Sequence, residues 1–358
     1  MKMLLAIVLA LFLTVLAAAQ NIKVTIDFES AKAVAAAFTR SKISDAELDR
    51  IAKLEGNQTL IKKAESTTDV FKTTLRAAIE TDKVGNADPF DWQTVRQNLK
   101  DVQAITARIE REQTQLLSDV NLLIRDYAPP NLNAEVKARL LVGGGSLGFT
   151  IGEDTALNVA LQKLGNDFEG LKFLLAHELY HSIQAVGEQK RKASLAKLTA
   201  VPPANVFNAY LIAANVCVEG SATFVGDFSK IKDPLPFSRT QQAESEKNNR
   251  RMRQNFALFE ALLFRAANDP TVDAEQLYNI GFTTSYDETS YYVGYRMAEV
   301  IEKYEGKRAI ADFINKNPLE FFQKYIEIYQ KHDEPRAIKF SAPIEKKLLE
   351  MQVWKDKL

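Results

Sequence analysis

The chain has 358 residues, in which 46 Lys and Arg balance 46 Asp and Glu, with three His and one Cys. A formal net charge of zero argues against a nucleic-acid-binding surface, and a single cysteine excludes an internal disulfide. Stability must therefore come from the burial of apolar side chains, for which a chain of this length is ample.

The first nineteen residues, MKMLLAIVLALFLTVLAAA, have the features of a secretory signal peptide. Lys2 precedes an apolar run, and three alanines supply a cleavage site before Gln20. The alternative is a membrane anchor, but the run is short for a span and its small-residue end favours cleavage. No cysteine follows to carry a lipid. We expect residues 1–19 to be removed, and the mature protein to be secreted or periplasmic without a stable membrane span.

A short strand and several helices are predicted next. Residues 22–28 alternate apolar and polar side chains, which is typical of a strand. Apolar residues at three- and four-residue spacing predict helices at 30–39, 44–54, 68–80 and 91–127. The last segment could form a coiled coil. We interpret it as an amphipathic helix packed on the catalytic part, because its pattern drifts and no partner helix is evident.

The hydrophobic period changes after this helix. Residues 136–142 and 148–151 predict strands, while 155–161 are ambiguous between strand and helix. The glycines at 143–145 do not form a phosphate loop, because no Gly-Lys-Ser/Thr sequence follows them. A strand near 149–154 could bind an extended substrate by strand addition, or it could be an ordinary hairpin that covers the core.

The segment LKFLLAHELYHSIQ, residues 171–184, contains the pattern His-Glu-x-x-His. Its spaced leucines and the potential cap Asp167 predict a helix. Residues four apart lie on one face of a helix, so His177 and His181 can bind the same ion. Two imidazoles suit Zn²⁺, and Glu178 beside them can take a proton from a metal-bound water. The segment predicts a site for metal-assisted hydrolysis.

A catalytic zinc needs a third protein ligand. Glu219 is an isolated acid among small and apolar residues, where burial without a cation would be costly. His332, the only other histidine, lies in the charged stretch KHDEPR. We therefore expect Glu219 to be the third ligand. The alternative is a solvated glutamate at a helix turn, or one that pairs with a buried arginine.

A tyrosine-rich segment, SYDETSYYVGYRMAEVIEKY, begins at residue 285. Amide hydrolysis builds negative charge on the carbonyl oxygen, which a tyrosine hydroxyl can stabilise. We select Tyr292 for this role, with Tyr291, Tyr295 and His332 as the alternatives. Each tyrosine could instead be an aromatic anchor of the core.

The motif HELYH at 177–181, followed by EGSA at 219–222, resembles the gluzincin metallopeptidases, and more closely the predicted secreted zinc-dependent peptidases of bacteria. The likeness is concentrated in residues 140–230, with a weaker echo at 291–306.

The resemblance implies Zn²⁺ held by His177, His181 and Glu219, with Glu178 as the general base. One position departs from it. Thermolysin-like gluzincins have an aspartate four residues after the glutamate ligand to orient a histidine, whereas this chain has Thr223. A different group must then orient the histidine.

Together these features predict a mostly helical α+β protein, with a helical N-terminal region at 20–135 and a zincin-like catalytic region at 136–358. The predicted activity is that of a secreted zinc peptidase, in which Glu178 deprotonates a zinc-activated water that attacks a peptide bond. Peptides or proteins would be its substrates. The alternatives are an exported zinc-binding or structural protein without turnover, and a metal-dependent hydrolase of a non-peptide amide or ester.

Overall fold

The computed structural model describes residues 21–81, 84–85, 87–151, 154–195 and 201–358. The predicted signal peptide at 1–19 lies outside the described residues. Helices dominate the structure, and a single four-stranded mixed sheet is present in the described part of the chain. The predicted mostly helical α+β class is therefore confirmed.

The first part of the described chain contains one strand and six helices. They are β1 (Asn21–Asp27), α1 (Glu29–Ala37), α2 (Asp45–Ala52), α3 (Glu55–Lys63), α4 (Thr68–Glu80), α5 (Trp92–Gln97) and α6 (Leu99–Arg125). The helix predicted at 91–127 is thus divided at Asn98, whose backbone (φ −103°, ψ 16°) is not helical. Helix α3 was not predicted, because only two of its buried residues are large and apolar.

The sheet adds β2 (Asn133–Leu141), β3 (Gly148–Ile151) and β4 (Asp154–Ala160) in the order β1-β2-β4-β3. Strands β1 and β2 are parallel, as are β2 and β4, whereas β3 runs antiparallel to β4 and forms an edge of the sheet. The ambiguous segment at 155–161 is therefore mainly a strand. The boundary placed at 135/136 falls within β2, and β1 brings a strand of the N-terminal region into the same sheet.

The rest of the described chain is helical. Its α-helices are α7 (Phe168–Leu195), α8 (Ala204–Val225), α9 (Pro236–Arg250), α10 (Met252–Asn268), α11 (Ala274–Phe282), α12 (Thr289–Glu305), α13 (Lys307–Phe313), α14 (Pro318–Lys331) and α15 (Ala342–Met351). The amphipathic α6 packs on α7, as its apolar pattern predicted, and also on α1 and β1. One hydrophobic core joins these elements.

Helix α8 lies at the centre of the helical part, against α7, α10 and α12. Within the described residues, Ala204–Lys230 is the one helical segment long and apolar enough to cross a membrane, and 67% of its most apolar window is buried inside the protein. Its apolar surface is thus used mainly for packing against neighbouring helices.

Candidate metal centre

Helix α7 brings both histidines onto one face. The helix begins after Asp167, whose Oδ1 accepts a hydrogen bond from the Gly170 N–H at 2.7 Å, as predicted for its cap. His177 and His181 lie one turn apart, with ring centroids 4.8 Å from each other and Nε2 atoms 3.2 Å apart. Both rings therefore turn Nε2 toward a common point.

Helix α8 brings Glu219 to the same point. Glu219 Oε2 lies 3.1 Å from His181 Nε2 and 3.8 Å from His177 Nε2. The three candidate ligand atoms all lie within 4.8 Å of one another. Glu219 Oε2 is buried, and no described residue donates a hydrogen bond to it while His181 Nε2 is unprotonated. A buried carboxylate oxygen without a donor is costly, and a cation at this point would remove the cost.

The spacing of these atoms suits a tetrahedral zinc site. With bonds of about 2.0–2.1 Å, the ligand atoms around tetrahedral Zn²⁺ lie roughly 3.3 Å from each other. The separations of 3.1, 3.2 and 3.8 Å observed between the two Nε2 atoms and Glu219 Oε2 bracket that value. Two imidazoles and one carboxylate are also a donor set of catalytic zinc sites. The residues present therefore fit the metal.

Each ring has a further partner. Gln184 Oε1 lies 2.8 Å from His181 Nδ1, and the Ala222 backbone carbonyl hydrogen-bonds to His177. Thr223 stands where an aspartate was expected, but its hydroxyl donates to the Glu219 backbone carbonyl at 2.8 Å. Sequence reasoning missed Gln184, although its position three residues after His181 on one helix was a usable signal.

Burial and charge determine how the cluster binds protons. Burial, and then repulsion from His181, lowers the pKa of His177 to about 3. Burial also disfavours a charge on His181, but the adjacent Glu219 outweighs it and raises the pKa of His181 to about 9. Burial would raise the pKa of Glu219, yet His181 and His177 hold that pKa below its ordinary value. Glu219 thus favours a positive charge beside it.

Glycines allow the helices that carry these side chains to touch. A Cβ on Gly294 of α12 would lie 2.0 Å from the Val216 carbonyl oxygen and 2.8 Å from Gly220 Cα, so α12 crosses α8 backbone to backbone. A Cβ on Gly226 would lie 2.6 Å from His177 Cβ, where the end of α8 meets α7. The glycine that follows Glu219 is therefore part of the packing that positions this carboxylate.

Tyr291 is the tyrosine that reaches the three-residue cluster. Its ring is nearly parallel to the His177 ring, at 10° and 6.4 Å between centroids, and its hydroxyl interacts with the Glu219 carboxylate. Tyr292, the residue selected from the sequence, lines the same cavity, but its hydroxyl interacts with Asn248.

The other two candidates have different partners. The Tyr295 hydroxyl donates to Asp227 Oδ2 at 3.0 Å. His332 stacks on Tyr304 at 4.4 Å between ring centroids. Tyr304 is thirteen residues along α12 from Tyr291, which is roughly 20 Å of helix. His332 therefore does not contribute to the cluster.

A cavity of about 450 Å³ opens beside the cluster, with His177, Glu178 and Tyr291 on one side. Burial raises the pKa of Glu178 above its ordinary value. Among the described residues, the wall of the cavity also carries the carboxylates of Asp227, Glu244, Asp287 and Glu288. Burial, and then the nearby Glu219, raises the pKa of Glu288 to about 7. Glu178 thus faces a space large enough for part of a peptide.

The edge strand β3 begins next to Glu178. A Cβ on Gly148 would lie 3.4 Å from Glu178 Oε1, and the preceding Leu147 lines the cavity. Because β3 pairs only with β4 among the described strands, its other edge can pair with an added strand. The predicted strand near 149–154 thus lies at the edge beside Glu178, although residues 152–153 are not described.

Comparisons with known proteins identify a family to which the chain is similar. No curated protein and no solved structure is significantly similar to the chain. Residues 48–334 match the family described as "Putative zinc dependent peptidase (DUF5700)". This match covers most of the chain, including α7, α8 and most of the helices that surround them. The family makes Zn²⁺ the cofactor and implies peptides or proteins as substrates. The chain belongs to this family of zinc-dependent peptidases.

Proposed function

We propose that the protein is a secreted peptidase of the gluzincin type, with a zincin-like catalytic region that hydrolyses peptide bonds at the α7–α8 cluster. His177, His181 and Glu219 would hold the zinc. The observation that carries the proposal is the convergence of two ring nitrogens on a buried Glu219 oxygen, to which no described residue donates a hydrogen bond while these nitrogens are unprotonated. Secretion rests on the sequence of residues 1–19, and N-terminal sequencing of the exported protein tests it.

Zinc, when bound, supplies Lewis-acid chemistry that polarises a peptide carbonyl and makes a water molecule more acidic. Glu178 is the chain's own acid–base group. Its carboxylate adjoins the His177–His181 face and the cavity, so it can accept a proton from water and pass it to the leaving amine. Burial raises the pKa of Glu178, which makes its protonated form easier to reach and so suits this second step.

Tyr291 and β3 would hold the substrate. The Tyr291 hydroxyl adjoins Glu219 and can donate to a carbonyl oxygen as negative charge develops on it. We assign this role to Tyr291 in place of Tyr292, because the Tyr292 hydroxyl interacts with Asn248. An extended peptide paired with the edge of β3 would pass Gly148, where Glu178 lies.

Replacing Glu178 tests the activity most simply. We expect Glu178→Gln to keep zinc and to lose about 10²–10⁴-fold in peptide hydrolysis, because the base is removed and the proposed ligands remain. Zinc content is measured alongside cleavage of a peptide mixture that the wild type digests. Glu188→Gln, the same change at an exposed position of α7, is the control and should match the wild type. Unchanged hydrolysis by Glu178→Gln would refute the role of Glu178.

A further inference from the structure

We infer that Gln184 is a positioning residue that fixes the tautomer of His181 and so leaves Nε2 of this ring available to the metal. The inference rests on the proposed function, in which His181 is a zinc ligand.

The neighbours of Gln184 fix the orientation of its side-chain amide. Gln184 Nε2 lies 2.9 Å from the Val218 carbonyl oxygen, which can only accept a hydrogen bond. It also lies 2.9 Å from Ser221 Oγ, whose own proton goes to the Cys217 carbonyl at 2.7 Å. Both partners are therefore acceptors. A flipped amide would place Gln184 Oε1 against the Val218 carbonyl oxygen, with no proton between them.

The orientation of the amide determines which nitrogen of His181 is protonated. Gln184 Oε1 faces His181 Nδ1 at 2.8 Å, and an amide oxygen only accepts, so Nδ1 must carry the proton. In the neutral ring Nε2 then has a free lone pair, and this lone pair is directed at the cluster with His177 Nε2 and Glu219 Oε2. The hydrogen bonds that link the α8 backbone to Gln184, and Gln184 to His181, thus leave Nε2 of this α7 histidine free to bind the metal.

Gln184 orients the ring without adding charge to the site. Thr223 lines the cavity together with His177, and its hydroxyl donates to the Glu219 backbone carbonyl at 2.8 Å. Orientation of His181 therefore depends on Gln184 among the described residues.

The test is zinc affinity, measured on the purified full chain by competition with a chromophoric chelator. Gln184→Met keeps the length of the side chain but removes its acceptor and donor, and should weaken zinc binding by about 10–100-fold. Gln184→Glu keeps an acceptor for Nδ1 and should lose clearly less. Affinity of Gln184→Met within twofold of the wild type would overturn the inference, as would an equal loss in Gln184→Glu. If the methionine variant does not fold, the tautomer of His181 in the wild-type protein decides.

Gln242→Met is the matched control. Gln242 Nε2 also donates to two acceptors, the carbonyls of Phe228 at 2.9 Å and Ile231 at 2.8 Å, but Gln242 has no histidine partner. We expect both methionine variants to be less stable than the wild type without zinc, and only Gln184→Met to lose zinc affinity. An equal loss of zinc affinity in Gln242→Met would mean that Gln184 is merely structural.

The tautomer can be observed directly, because the chain has only three histidines. With ¹⁵N-labelled histidine and zinc bound, His181 should show a protonated Nδ1 and a metal-coordinated Nε2. A protonated Nε2 would overturn the inference while leaving the zinc site intact. A wild-type protein in which zinc does not perturb His181 at all would overturn the ligand assignment, and with it both proposals.

Discussion

At the scale of single residues, some features of the site could be predicted from the sequence and others could not. The four-residue spacing of the histidines and the isolated acid at 219 are local features, so the sequence predicted which residues come together. The choice among the tyrosines depends on how α12 crosses α8, and the role of Gln184 on how α7 lies against α8. Both are tertiary relations, and sequence reasoning accordingly selected Tyr292 and left the orienting group open.

The hydroxyl of Tyr291 provides a prediction at this scale. We expect Tyr291→Phe to reduce kcat by about 10²-fold or more with little change in KM, because one donor to the developing oxyanion is lost. Steady-state hydrolysis of a defined peptide measures both constants, and zinc content shows whether the metal site is intact.

Tyr292→Phe discriminates between the two tyrosines. Both side chains line the cavity, but the Tyr292 hydroxyl interacts with Asn248. We expect a smaller loss of kcat in Tyr292→Phe than in Tyr291→Phe. The reverse order would favour the residue selected from the sequence and contradict the geometry.

At the scale of secondary-structure elements, the site depends on close contact between α7, α8 and α12. Gly220 and Gly294 let the backbones of α8 and α12 touch, and Gly226 lets the end of α8 approach His177. The apolar periodicity predicted helix α7, because it reflects which face of a helix is buried. The periodicity contains no information on the distance between two packed helices. Gly220, which follows Glu219, indicated a close approach only indirectly.

Whether Gly294→Ala stabilises or destabilises the protein tests the close contact between α8 and α12. In an open helix, Gly→Ala stabilises by about 1 kcal/mol. Here a Cβ would lie 2.0 Å from the Val216 carbonyl oxygen, so we expect Gly294→Ala to destabilise the protein by about 1–3 kcal/mol in urea unfolding. Weaker zinc binding should accompany it, because Gly294 packs directly on the turn of α8 that carries Glu219.

The control for this prediction is Gly145→Ala. A Cβ on Gly145 would meet no atom within 4 Å. The free energy of unfolding of Gly145→Ala should therefore differ from that of the wild type by no more than about 0.5 kcal/mol. If Gly294→Ala were as stable as the wild type, or more stable, α8 and α12 would not cross as described.

At the scale of the whole molecule, a helical scaffold and a small sheet converge on one face of α7. The sheet places its antiparallel edge strand beside Glu178, while α8 brings in Glu219 and α12 brings in Tyr291. The sequence predicted the edge strand at 148–151 and the helix around 171–184. It predicted neither the break at Asn98 in the helix at 91–127 nor the mainly polar α3, because both depend on tertiary packing. It also did not indicate that β1 would pair with β2, since strand partners distant in the chain leave no local signal.

The location of the metal tests the central claim most directly. Crystals of the zinc-loaded protein, measured on both sides of the zinc absorption edge, give the position of zinc independently of the protein atoms. We expect one strong anomalous peak, within bonding distance of His177 Nε2, His181 Nε2 and a Glu219 carboxylate oxygen. A zinc ion bound without Glu219, or no peak at this cluster, would contradict the account.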